Sequence, residues 1–161
     1  MRLAAFTDYG LRVLMRLAND PRESFTTAGI AAEFGIPYNH LAKVVQDLGA
    51  GGFVITRRGA GGGLRLARPA ESISLGEVVR FLEQRYPLVE CFRMDGGNCV
   101  LTPRCRLRSH LAAAYGKFLE SLEATSVAEC AFPGPSPREA AQGGNRAKAS
   151  SHGSRRPRRK P

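Results

Sequence analysis

The chain has 161 residues, 43% of them hydrophobic, enough for one compact domain with a real core and some appendages. Basic residues outnumber acidic ones 24 to 14, a formal net charge of +10 that favours a polyanionic partner whose affinity falls as salt rises. Asp8, Arg12 and Arg16 interrupt the only apolar stretch near the N-terminus, which excludes a membrane span or signal-peptide core there and makes a cytoplasmic location the expectation.

The charge is unevenly placed. From Pro133 onward there are eight Lys/Arg and one Glu, whereas the preceding part carries 16 against 13. Most of the excess therefore belongs to a Pro/Gly/Ser/Arg-rich tail, residues 132–161, which reads as a disordered basic segment able to add nonspecific phosphate contacts.

Taken in order, Thr7 or Asp8 is the expected cap of a first helix in which Leu11, Leu14 and Ala18 recur at helical spacing and Asn19-Asp20-Pro21 is the stop. A short helix follows from about Thr26 to Phe34. Gly35 then makes a turn, Ile36 packs inward, and Pro37 starts a third helix. There Leu41, Val44, Val45 and Leu48 form one buried face, leaving Tyr38, Asn39, His40, Lys43 and Gln46 outside. Helix, glycine turn, and helix with a polar outer face make the helix-turn-helix layout, whose second helix enters the major groove. Two short strands, Phe53 to Arg57 and Leu64 to Ala67, flank a glycine run and read as a β-wing.

The expected fold is thus mainly α with a small β-wing: a winged helix-turn-helix over 1–70, a connecting helix within 71–90 that Ser74 begins, and a long helix over 103–131. In that last helix Leu107, Leu111, Ala114, Phe118 and Leu122 make a stripe too long for so small a domain to cover. A twofold dimer seam is the economical solution, and it would present two recognition helices to palindromic double-stranded DNA. Tyr38, Asn39, His40 and Lys43, with Arg57, Arg58 and Arg65 around the wing, are the candidate DNA contacts. No Ser/His/Asp set, paired carboxylates in a cleft or cofactor fingerprint points to an enzyme.

Between the connecting helix and the long helix lies a window, residues 91–105, with Cys91, Cys99 and Cys105 spaced C-x₇-C-x₅-C; Cys130 stands apart. In a reducing compartment such a cluster points to metal or redox chemistry rather than a structural disulfide. Zinc sites normally use closer pairs, and the loose spacing around Gly96, Gly97 and Asn98 suits a larger iron–sulfur group. With Thr102 as cap and Pro103 as first helical residue, Cys105 would fall in a first turn, where the positive helix end favours a thiolate. Spacing alone leaves open an iron–sulfur cluster, zinc, and thiols that are inert or switch by forming a disulfide.

Three separated segments go further. Phe6-Thr7-Asp8-Tyr9-Gly10-Leu11-Arg12, Arg57-Arg58-Gly59-Ala60-Gly61-Gly62-Gly63-Leu64-Arg65-Leu66 and Cys99-Val100-Leu101-Thr102-Pro103-Arg104-Cys105-Arg106-Leu107 resemble the NsrR family. These are nitric-oxide-sensing repressors in the iron–sulfur branch of winged-helix regulators that also contains IscR. The resemblance covers about residues 1 to 130. It implies a homodimer with one cluster per subunit, [4Fe-4S] or [2Fe-2S], repression of nitrosative-stress genes, and loss of DNA binding when nitric oxide attacks the cluster. It also implies Cys91, Cys99 and Cys105 as cluster thiolates and Asp8 of the partner subunit as a fourth ligand. IscR-type relatives carry a His three residues after the last cysteine; that position is Arg108 here, and the seven-residue first spacing is a second departure. The rival functional readings are a metal-free cysteine-redox regulator and an iron–sulfur or zinc carrier protein.

Overall fold

The computed structural model describes residues 2–57, 59 and 62–131. The expected tail, 132–161, and Arg58 lie outside the described residues. Five α-helices and one two-stranded antiparallel sheet are described: α1 (Ala5–Asn19), α2 (Thr27–Phe34), α3 (Tyr38–Ala50), β1 (Val54–Arg57), β2 (Gly63–Leu66), α4 (Leu75–Glu83) and α5 (Arg106–Glu123).

Core formation follows the helical periodicity. Val13, Leu14 and Leu17 of α1 pack with Ile30 of α2 and with Leu41, Val44 and Leu48 of α3, each at most 2% exposed. Burying each such side chain contributes about 1.5–3 kcal/mol, so one continuous cluster holds the three helices in place. Thr26 caps α2 by accepting the amide of Gly29, and Gly35 closes that helix at φ 65°, a backbone value that glycine adopts without strain. Ile36 is buried directly after the turn.

The wing pairs Val54 with Leu66 and Arg57 with Gly63. It is tied back to the segment before α2 by reciprocal backbone bonds between Phe25 and Leu64 and by the Ser24 hydroxyl, which donates to the Gly62 carbonyl at 2.6 Å. This is a mainly helical fold with a small β-wing, as the sequence predicts.

Helix starts differ from expectation in three places. α1 begins at Ala5 with no side-chain cap, and Thr7 is fully buried inside it. A tertiary contact replaces the cap: the Ala4 amide donates to Glu83 Oε1 at 2.9 Å. Pro37 precedes α3 as its N-cap instead of being its first residue. Thr102-Pro103-Arg104 forms a separate 3₁₀ turn, and the chain extends at Cys105 (ψ 105°) before α5 starts at Arg106.

The helix expected over 103–131 is therefore shorter. After Glu123 the chain turns back and bonds across to the start of α4, Leu75 N donating to Thr125 O and Val127 N to Ile73 O. Val127 is fully buried. α4 itself occupies Leu75–Glu83 of the expected 71–90 connection, capped by Ser74, whose hydroxyl accepts the Glu77 amide.

Candidate functional site

The candidate nucleic-acid interface is built on α3 and the wing. Tyr38, Asn39, His40 and Lys43 all lie exposed on α3, because the opposite face of the helix carries the buried Leu41, Val44 and Leu48. β1 follows α3 after three residues, and buried Phe53 anchors the connection. On the sheet, Ile55 opposes Arg65 and Arg57 opposes Gly63, so the alternation of strand side chains puts both arginines on one exposed face. The structure thus gathers two sets: four side chains on one helix face, and Arg57 with Arg65 on the hairpin.

The cysteine window is an irregular loop with internal order. Cys91 is buried in a 3₁₀ turn, Glu90–Phe92, while Cys99 and Cys105 are partly exposed; none of the four cysteines is in a disulfide. Two carboxylates close the loop. Glu90 Oε1 accepts the Asn98 amide at 3.1 Å, and Asp95 accepts the Gly97 amide at 3.0 Å while pairing with Arg93 at 2.6 Å. Hydrogen bonds from Arg93 first, and from Gly97 second, hold the Asp95 carboxyl below its ordinary range. These contacts bring the residues next to Cys91 and Cys99 together, which shortens the long first spacing in space.

Beside Cys105 a groove is lined by Phe92, Thr102, Arg104, Arg106, Arg108 and Tyr115 among others. Burial, and next the nearby Glu83 carboxylate, raise the pKa of the Tyr115 phenol. The Thr102 hydroxyl is shut off from water with no hydrogen-bond partner among the described residues. Three arginines, an unsatisfied hydroxyl and the Cys105 thiol line this groove and suit an anionic, thiolate-bound group, because thiolate and sulfide both accept such donors. In this sense the residues fit an iron–sulfur cluster. Among the described residues, no three His, Cys, Asp or Glu side chains converge as metal ligands, so a bound group would itself have to draw the thiols together. Asp8 pairs with Arg12 at 3.0 Å, one turn on, with both side chains about half exposed.

Sequence reasoning missed three sets of contacts: the loop closures by Glu90 and Asp95, the buried ion network of Arg16, and an ion pair between Arg85 and Asp47. Of these, only the Arg16–Asp20 limb, at i,i+4 spacing, has a signal in the sequence.

Residues 3–131 match the family model described as Rrf2, iron-dependent transcriptional regulator. Relatives of the chain include the HTH-type transcriptional regulator NsrR of Geobacillus kaustophilus, 46% identical over 130 residues that cover 80% of this chain and 88% of that protein. The regulator of the same name from Bacillus licheniformis is 42% identical over 124 residues, 76% of this chain and 87% of that one. Among solved structures, Staphylococcus aureus CymR aligns with a TM-score of 0.62 at 24% identity, covering 82% of this chain and 99% of its own. The IscR of T. potens gives 0.62 at 22% identity, covering 80% and 85%. At that identity the two structures speak for the fold alone. No helix among the described residues is long and apolar enough to cross a membrane. The chain belongs to the Rrf2 family of transcriptional regulators and is not an enzyme.

Proposed function

We propose that the chain is a homodimeric DNA-binding repressor that senses nitric oxide through an iron–sulfur cluster held by Cys91, Cys99 and Cys105, with Asp8 of the partner subunit as a fourth ligand. The observation that carries this reading is the placement of the three thiols. They sit on one self-closed loop between α4, which packs on the DNA-reading domain, and α5, whose outer face has no cover among the described residues. Similarity to regulators named NsrR supports the reading, as do the three sequence segments that resemble that family.

α5 and the loop supply the dimer argument. Leu119 alone is buried in α5, while Leu107 is 63% exposed and the neighbouring loop presents Met94 and Val100 at 96% and 91%. Large apolar side chains left exposed in this way mark an interface, and a second copy would cover them. Within the site, Glu90 and Asp95 would position the thiols by closing the loop, and Arg104, Arg106 and Arg108 would offer positive charge to an anionic group bound beside Cys105. A bound cluster would supply iron open to a small diatomic gas, since a carboxylate is a weaker and more exchangeable iron ligand than a thiolate. Two α3 helices, two wings and the operator would then form one complex, with Tyr38, Asn39, His40 and Lys43 at the major groove and Arg57, Arg58 and Arg65 at the flanking minor groove.

The test is a mobility shift under anaerobic conditions with the promoter fragment of the regulated gene. The parent protein is expected to retain the fragment and release it on addition of nitric oxide. A variant with all three cysteines changed to Ser is expected to show no nitric-oxide response. Equal release of DNA by this variant and the parent would rule out the thiols as the sensor.

A further inference from the structure

We infer that Arg85, at the root of the cysteine loop, is a positioning residue of the recognition helix. By holding the carboxylate of Asp47 it keeps Lys43 available for DNA, and it thereby ties DNA affinity to the placement of the loop. This rests on the reading of Lys43 as a DNA contact and deepens it.

Arg85 Nη1 lies 2.7 Å from Asp47 Oδ2, and the Asp47 side chain is only 15% exposed. Arg85 is the second residue after α4 and stands six residues before Cys91. Its neighbours are fastened to the start of α1: Glu83 accepts the Ala4 amide, and the Tyr86 ring meets Phe6 with centroids 6.3 Å apart. The guanidinium is therefore delivered to α3 from a fixed anchor on one side and a loop on the other.

Asp47 also has a second potential partner. Lys43 precedes it by four residues on the same helix, which places the two side chains on one face at the spacing where opposite charges pair. Lys43 is exposed and makes no ion pair among the described residues, while the Asp47 carboxylate is engaged with Arg85. If Arg85 withdraws, a bare carboxylate lies one turn from a lysine that faces DNA. It would draw Lys43 away from phosphate and add its own repulsion of the duplex. The pair thus works as a charge competition that the loop root decides.

Full-length Arg85→Gln, Asp47→Asn, the double variant and Lys43→Ala would be measured by fluorescence anisotropy on a duplex that the parent protein selects from a random-sequence pool. Arg85→Gln is expected to weaken binding about fivefold or more, the scale of an ordinary coupling between sites. Its salt dependence should fall by about one phosphate contact. Asp47→Asn and the double variant are expected to bind at least as tightly as the parent, since neither leaves a carboxylate to compete, and Arg85→Lys should restore most of the affinity. The thermal midpoint of each variant would be recorded beside its affinity, and the expected order of affinities should hold at a temperature where every variant is folded.

A double variant as weak as Arg85→Gln would overturn the inference, since Arg85 would then be touching DNA itself. Arg85→Gln binding like the parent, while Lys43→Ala is weak, would overturn it alone and leave the DNA interface standing. If Lys43→Ala binds like the parent, the assignment of Lys43 fails and the inference fails with it.

Discussion

Arg16 shows how a single charge is used inside this fold. The residue is 7% exposed; its guanidinium donates from Nε to both oxygens of Glu33 and from Nη1 to Asp20, and lies 4.3 Å from the centroid of the Phe25 ring. Burial by itself would lower its pKa; hydrogen bonds to Asp20 and Glu33 outweigh that and the net shift is upward, so the group stays charged. Glu33 is as secluded, at 8% side-chain exposure, and would be stranded without its partner. Arg16→Met is therefore expected to cost about 3–5 kcal/mol of stability in urea unfolding, the range for breaking one side of a buried pair. A variant as stable as the parent would contradict this account of the network. From the sequence Arg16 is legible as an interruption of an apolar stretch and as an i,i+4 partner of Asp20, but not as a partner of Glu33. Glu33 is 17 residues away, and nothing local announces that α1 and α2 will pack so as to bury both charges.

Among the elements, α4 and α5 carry the connection between the DNA-reading domain and the proposed dimer seam. Their crossing is unusually close at Gly76, where an added Cβ would stand 2.7 Å from the backbone nitrogen of Glu123 and 2.8 Å from the carbonyl oxygen of Leu119. An ion pair between Arg80 and Glu123 fastens the same crossing. Because the obstructing atoms are backbone, the helices must separate to admit a methyl group. Gly76→Ala is expected to lose about 1–3 kcal/mol, the usual cost of overpacking, and to shift the thermal midpoint downward. An unchanged midpoint would show that the helices are not locked there.

The buried face of α3, the Gly35 turn and the wing were readable because periodicity and turn chemistry are local. The start of α5 was only half readable. Pro103 suits the first turn of a 3₁₀ helix as well as of an α-helix, so the Thr102-Pro103 signal marks a helix start without revealing the break at Cys105. The stripe from Leu107 to Leu122 was likewise visible as apolar, yet the residue that packs inside the chain, Leu119, lies outside it.

At the scale of the whole molecule, a compact unit spanning Met1–Ala131 presents a recognition helix and wing in one part of its sequence and a cysteine loop followed by an uncovered helix face in another. Family membership follows from the match over residues 3–131, and the three cysteines proposed as the donor set stand in one window of the sequence. What the sequence did not reveal is how the thiols are spaced. The loop that carries them is closed by Glu90 and Asp95, through contacts between residues whose types are common on any surface. In the proposed function, Cys91, Cys99 and Cys105 hold an iron–sulfur group. The most direct test is quantitation of iron and acid-labile sulfide in full-length protein purified without oxygen, alongside the variant with those three cysteines changed to Ser. The account predicts iron and sulfide in comparable amounts in the parent, with visible absorbance, and neither in the variant. A colourless parent holding zinc or no metal would contradict it.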